Sequence, residues 1–216
     1  MKQITDQTVY FVTQQNYSGG LSTTDVVRGA IEGGVDVVQL REKHMSARER
    51  YELGLKLRRI TEEAEVPLIV DDRVDIAAAI DADGVHVGDS DLPIEVAREQ
   101  LGKDAIIGRS VTTPEEARAA VAAGADYLGV GAVYHTDSKD VDPEEEGIGP
   151  EGVAAVREAV DIPIVGIGGI NAGNAADVVA AGAEGVAVIS AIATAENPKE
   201  ATIRLSDAVM TGVNRR

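Results

Sequence analysis

Short apolar runs alternate with longer segments of helical period along this chain. The runs lie at residues 9–12, 35–40, 67–70, 84–87, 105–108, 127–131, 163–167 and 185–189. They are rich in Val and Ile and hold few polar residues, the pattern of strands buried on both faces of a parallel sheet. Between them, stretches such as "SARERYELGLKLRRITEEA" and "TPEEARAAVAAGA" place apolar residues three and four apart, as amphipathic helices do.

Local signals mark the helix ends. Thr113-Pro114-Glu115-Glu116 reads as an N-cap, a proline at the first helical position and acids in the first turn. Gly124 and Gly182, each in "AAGA", read as C-terminal glycines. The stretches "AAGADYLGV" and "AAGAEGVAV" echo each other as helix end, glycine turn and next strand. Eight strands alternating with helices in 216 residues predict a single α/β domain over 1–216, a closed (β/α)8 TIM barrel. An open doubly wound sheet usually has fewer strands. The one irregular stretch, "YHTDSKDVDPEEEGIG" at 134–149, follows strand six and predicts a lid-like loop, although an acidic surface loop has the same composition.

Composition narrows the functional classes. There are 23 Gly, one Phe and no Trp, which suits a close-packed α/β core. The absence of Cys excludes disulfides, thiolate metal sites and a cysteine nucleophile. The formal net charge is −17 and no basic cluster exceeds a pair of arginines, so no nucleic-acid partner is expected. The acids are dispersed along the helices, which favours a halophilic protein over one with an acidic partner surface. No apolar run is long enough to span a membrane. The first residues carry no secretory apolar region, so a cytoplasmic protein is expected. A homo-oligomer is left open.

In a barrel the chemistry sits at the C-terminal ends of the strands. Strand two is followed by "QLREK", where period two puts Gln39, Arg41 and Lys43 on one side. Strand three leads to Asp71 and Asp72, strand four to Asp89 and Asp91, and strand five to Arg109 and Ser110. Strand six leads to Thr136, Ser138 and Lys139, strand seven to Gly168 and Gly169, and strand eight to Ile189 and Ser190. Asp72 and Asp91 sit at neighbouring strand ends, within reach of one hard divalent cation such as Mg2+. Arg41, Lys43 and Lys139 supply positive charge suited to a diphosphate. Backbone N–H groups at Gly168-Gly169 and at the turn after Ile189-Ser190 suit a monophosphate. Bland readings exist for each. An aspartate near a helix start is often an N-cap, a Gly-Gly pair is often a turn, and His86, inside strand four, reads as a packed core histidine. His44 and His135 lie in loops. What sets the group apart is its placement near strand ends.

With these residues in order, the sequence resembles the thiamine phosphate synthase (thiamine-phosphate pyrophosphorylase) family. The resemblance runs from "YFVTQ" to "VISAI" and includes "QLREK", "VDDRVDIAAAIDADGVHVGDSDLP", "GRS", "TDSK", "GIGGI" and "VISAI". It implies a transferase that joins 4-amino-2-methyl-5-(diphosphomethyl)pyrimidine to hydroxyethylthiazole phosphate, releasing pyrophosphate, with Mg2+ as cofactor and a carbocation-like, dissociative step. It implies that Gln39, Arg41, Lys43, Ser110 and Lys139 hold the pyrimidine diphosphate, and Asp71 is counted with the substrate-binding residues. Among these Arg41, Lys43, Ser110 and Lys139 would act on the reacting group. Asp72 and Asp91 would hold Mg2+. Thr136, Asp137, Ser138, Gly168, Gly169, Ile189 and Ser190 would hold the thiazole phosphate. Asp71 stands where the family has Asn, His135 where it has Pro, Ser138 where it has Thr, and Thr112 where a His is frequent.

Other classes fit less of the pattern. A thiazole tautomerase of the same fold needs neither the paired aspartates nor the "QLREK" cations, and a catalytic His would be expected near Thr112. A sugar-phosphate isomerase or epimerase accounts for the late-strand glycines and leaves Arg41, Lys43, Asp91 and Lys139 unexplained. A binding protein without activity is kept open by Asp71 alone.

Overall fold

The computed structural model describes residues 7–136 and 147–216. Its eight parallel strands close into a barrel in sequence order. They are β1 (Thr8–Val12), β2 (Val37–Leu40), β3 (Leu68–Asp71), β4 (Gly84–Val87), β5 (Ile106–Val111), β6 (Tyr127–Val130), β7 (Ile164–Ile167) and β8 (Gly185–Val188). β8 returns to β1 with Tyr10 opposite Ala187. Around the barrel lie α1 (Thr23–Glu32), α2 (Ala47–Glu63), α3 (Val74–Ala79), α4 (Ile94–Leu101), α5 (Pro114–Ala122), α6 (Gly149–Ala159) and α7 (Ala175–Ala180). Past β8 come a short α8 (Ser190–Ala193) and α9 (Pro198–Val213), which lies against α7 and α1. Among the described residues no helix is long and apolar enough to cross a membrane.

The expected barrel is therefore present, with one boundary that matters. β5 does not stop at Gly108 but runs on to Val111, because its pairing with β6 continues through Ser110 opposite Gly129 and Val111 opposite Val130. Arg109 and Ser110 are thus strand residues rather than loop residues, and they face opposite ways. Of the loop at 134–149, residues 137–146 lie outside the described residues, and Asp137, Ser138 and Lys139 with them.

Period two splits every strand between two cores. Val9, Phe11, Val38, Leu40, Leu68 and Val70 point outward to the helices. Tyr10, Val12, Val37, Ile69, Tyr127 and Val165 fill the lumen. Both faces are buried, which is why the runs look continuously apolar in sequence. The predicted helix signals are realised: Thr113 and Glu116 form a capping box at α5, and Gly124 and Gly182 take positive φ of 95° and 114° just beyond α5 and α7.

A fourfold device closes the barrel's N-terminal end. A carboxylate just before each even strand accepts the N–H of the first or second residue of the preceding odd strand. Asp36 takes Val9 N at 2.8 Å, Asp83 takes Leu68 N at 2.8 Å, Asp126 takes Ile107 N at 2.7 Å and Glu184 takes Ile164 N at 2.7 Å. Three of these acids also pair with an arginine: Arg58 with Asp83, Arg98 with Asp126 and Arg157 with Glu184. The "GAD" and "GAE" echoes in the sequence carry the last two acids. Part of the negative charge is therefore structural. Glu184→Ala strips the acceptor from the buried Ile164 N–H and should cost about 1–3 kcal/mol in denaturant unfolding. It should leave kcat unchanged, because this end is remote from the strand C-termini.

Candidate active site

Inside the barrel the polar residues gather on one side. Gln39 (β2), His86 (β4) and Ser110 (β5) face inward with Arg41 and Asp71, while Val12, Val165, Ile167, Ala187 and Ile189 form the opposing wall. Between them is a cavity at the barrel mouth. Two inward glycines leave room for the rings. A Cβ at Gly108 would strike the Tyr127 ring and His86 Nδ1, and one at Gly129 would press on the His86 ring. Gly108→Val should therefore destabilise the fold by roughly 1–3 kcal/mol, read as a lowered Tm, by overpacking a filled lumen.

His86 is buried, as expected of a core histidine, but it is not inert packing. Its Nδ1 meets Tyr127 Oη at 2.9 Å and its Nε2 meets Ser110 Oγ at 2.9 Å. Tyr127 Oη meets Tyr10 Oη at 2.8 Å, and Gln39 Nε2 donates to Tyr10 Oη at 2.9 Å. Burial pushes both tyrosine phenols upward from their ordinary range, so both keep their protons.

At the rim, Arg41 is nearly enclosed. Its Nε lies 3.6 Å from Asp71 Oδ2, its Nη1 donates to Gln14 Oε1, and its N–H donates to Thr13 Oγ1 at 3.2 Å. The turn after β2 passes through Glu42 at φ 42°, whose carboxylate accepts the Gln15 N–H at 2.8 Å. That turn brings Lys43 Nζ to 3.5 Å from Asp72 Oδ2. Asp72 adopts φ 61°, a left-handed conformation that Asp tolerates better than most residues. This turns it away from Asp71 and toward Asp91. Asp91 is anchored by the Gly88 N–H at 2.6 Å. Its carboxyl is pushed above the usual carboxylate range, first by burial and then by hydrogen bonding and charge from Asp72, against the pull of the Gly88 N–H and Lys43. The adjacent aspartates 71 and 72 therefore belong to different sets: Asp71 to the buried arginine, Asp72 to Asp91. Among the described residues no group of three or more His, Asp or Glu side chains gathers in a way that could hold an ion, so any cation at Asp72 and Asp91 needs further ligands from substrate or water.

A second cavity lies at the ends of β7 and β8, lined by Thr136, Gly168, Gly169, Ile189 and Ser190. Gly168 and Gly169 have positive φ of 105° and 62°, and a Cβ on either would collide with residues 132–135. Only glycine fits this turn. Asn174 Nδ2 secures it by donating to the Gly169 carbonyl at 3.1 Å.

The structure thus brings Gln39, Arg41, Lys43, Asp71, Asp72, Asp91 and Ser110 to one side of the barrel mouth, and Thr136, Gly168, Gly169, Ile189 and Ser190 to the other. It sets Arg109 and Asp89 apart. These two pair with each other on the outer face of β5, beside the groove between α4 and α5. Thr112 also lies off the lumen, donating to the Gly131 carbonyl at 3.3 Å. Sequence reasoning missed Gln14, Tyr10, His86 and Tyr127 as site residues. The signal for the last three was strand parity: each shares the inward face with Gln39 or Ser110.

A closed parallel barrel with cations, paired acids and a glycine turn at the strand C-termini defines a phosphate-handling (β/α)8 enzyme. The chain belongs to the thiamine monophosphate synthase family, whose sequence model matches residues 9–192. A thiamine-phosphate synthase of Natronomonas pharaonis is 65% identical over 201 residues, covering 93% of this chain and 94% of that protein. One of Haloarcula marismortui is 62% identical, covering 96% and 99%. The solved thiamine phosphate pyrophosphorylase of Pyrococcus furiosus superposes with a TM-score of 0.86 at 43% identity, covering 96% of this chain and 97% of that one. The chain is accordingly a transferase of the thiamine pathway.

Proposed function

We propose that this enzyme condenses 4-amino-2-methyl-5-(diphosphomethyl)pyrimidine with hydroxyethylthiazole phosphate, giving thiamine phosphate and pyrophosphate with Mg2+ as cofactor. The observation that carries the reading is the two-sided lumen, with Arg41 and Lys43 at one edge and the Gly168–Gly169 turn at the other. Its apolar wall suits the face of an aromatic ring, and its polar wall suits the ring's edge. Arg41 and Lys43 carry charge that suits a diphosphate, and the Gly168–Gly169 turn with Ser190 suits the second substrate's phosphate.

Asp72 and Asp91 fit a divalent cation: both are hard oxygen donors, and burial, with Asp72 alongside, raises the Asp91 carboxyl. Bound there, Mg2+ would neutralise charge on the departing diphosphate. The chain's own groups do the rest. The methylene C–O bond breaks, its electron pair leaves with the diphosphate, and the aminopyrimidine ring carries the resulting cation. Arg41, Lys43 and Ser110 stabilise the leaving charge with preorganised donors. The apolar wall keeps water from the cation while the thiazole nitrogen forms the new C–N bond. No protein nucleophile is required. The family resemblance assigns Lys139 to the diphosphate and Asp137 and Ser138 to the thiazole phosphate; all three lie outside the described residues.

Pyrophosphate release from the two precursors, with and without Mg2+ and across a range of KCl, tests the function; no release under any of these conditions would refute it. The formal net charge of −17 and the halophilic Natronomonas and Haloarcula relatives support work at high salt. Asp71→Asn should still fold, at reduced stability, because the amide oxygen can accept from Arg41 while the guanidinium loses its countercharge, and it should lower KM for the pyrimidine diphosphate several-fold, since it unmasks the Arg41 charge. A raised KM would instead make Asp71 a substrate ligand.

A further inference from the structure

We infer that Tyr10 and Tyr127 are positioning residues that run a one-way hydrogen-bond chain from Gln39 to Ser110, holding His86 as its Nε2–H tautomer and turning the Ser110 hydroxyl proton toward the bound diphosphate. The inference rests on the reading of Ser110 as a diphosphate donor.

The direction follows from counting protons. The chain starts at Gln39 Nε2, which can only donate. Tyr10 Oη accepts there, so its own proton must go to Tyr127 Oη, its other partner. Tyr127 then accepts from Tyr10 and sends its proton to His86 Nδ1. A neutral imidazole accepting at Nδ1 carries its proton on Nε2. That proton goes to Ser110 Oγ. The Ser110 proton now has no place within the chain and points into the cavity that Ser110 lines.

The opposite direction fails at its far end. Ser110 would donate to His86, His86 to Tyr127 and Tyr127 to Tyr10, where Gln39 also donates. The Tyr10 proton would then face no acceptor. Tyr10 is 2% exposed and Tyr127 1%, so water reaches such a proton poorly even though both rings line the cavity. An imidazolium fails likewise, because Tyr127 would accept from both sides and its proton would be orphaned. A buried unsatisfied hydroxyl is costly enough to select the first arrangement.

The consequence is chemical. A serine hydroxyl can present either a proton or lone pairs to a phosphate oxygen, and only the proton attracts it. With Oγ already accepting from His86, Ser110 is a preorganised donor that needs no reorientation as negative charge grows. Gly108 serves the same end by leaving the space in which the Tyr127 and His86 rings meet.

The test uses the full-length protein labelled with 15N-histidine. It has three histidines, few enough to assign. Long-range 1H–15N spectra should show His86 Nδ1 unprotonated and Nε2 protonated; a protonated Nδ1 overturns the inference directly. Tyr127→Phe should disturb that tautomer and raise KM for the pyrimidine diphosphate about tenfold while leaving KM for the thiazole phosphate unchanged. Tyr10→Phe should do the same to a smaller degree, and it stands in should the first variant fail to fold. Ser110→Ala should lose the same diphosphate affinity with the His86 tautomer intact. An unaffected diphosphate KM in Ser110→Ala would overturn the reading of Ser110. Impaired Ser110→Ala beside tyrosine variants with unchanged tautomer and KM would overturn the relay alone.

Discussion

Arg41→Ala is expected to lower kcat/KM by about a thousandfold, because in the proposed reaction it removes a preorganised donor from the leaving diphosphate. It should also destabilise the protein. The side chains of Arg41 and Asp71 are only 8% and 10% exposed, so the variant strands a buried carboxylate. Breaking one partner of such a pair costs about 3–5 kcal/mol, visible as a lower denaturant midpoint. The two effects can be separated. Adding Asp71→Asn to Arg41→Ala should recover much of the stability and none of the activity. Recovery of activity together with stability would mean that Arg41 acts through the fold rather than on the substrate. Arg41→Lys should fall between the two, since an ammonium keeps the charge and loses the fork that also reaches Gln14.

Asp91→Asn is expected to abolish Mg2+-dependent turnover, with a loss of at least about a hundredfold, while preserving the fold. The amide oxygen can still accept the Gly88 N–H that anchors this turn. What disappears is the second negative charge beside Asp72. A thermal readout makes the case independently of activity. In the parent protein two crowded carboxylates repel, and saturating Mg2+ should raise Tm by roughly 5–10 °C through mass action on the folded state. In Asp91→Asn that rise should vanish. A variant with full activity and an unchanged Mg2+ shift would show that the pair holds no metal.

The Arg41 and Asp91 sets were readable in the sequence because each follows a strand by one or a few residues. A strand end in a barrel points to one mouth, so linear order is enough to assemble a list of candidates. The separation of Asp71 from Asp72 was not readable. It depends on Asp72 taking φ 61°, which turns two adjacent acids toward different partners. The contrast between Arg109 and Ser110 lay one step from view: the apolar run ends at Gly108, yet pairing with β6 carries the strand on, so parity sends one residue outward and the other into the lumen.

The lumen shows the limit most clearly. Tyr10 and Tyr127 are 117 residues apart and meet at 2.8 Å. Each strand's periodicity tells which residues face inward. It does not tell at what height each inward residue sits, because that follows from the tilt and stagger of a closed barrel, a property of all eight strands together. His86 was for that reason legible as buried and not as a hydrogen-bonded link between Tyr127 and Ser110.

The eightfold alternation, the barrel, the capped helices and the charged residues at the mouth follow from the order of residues alone. These depend on local periodicity and on interactions a few residues long, which any stretch of chain carries with it. Tertiary structure alone decided which acids share a site, which arginine is buried against a carboxylate, and how a row of hydroxyls and one imidazole lines up across the lumen. Those outcomes rest on contacts between strands far apart in the chain, and only closure of the barrel sets their distances.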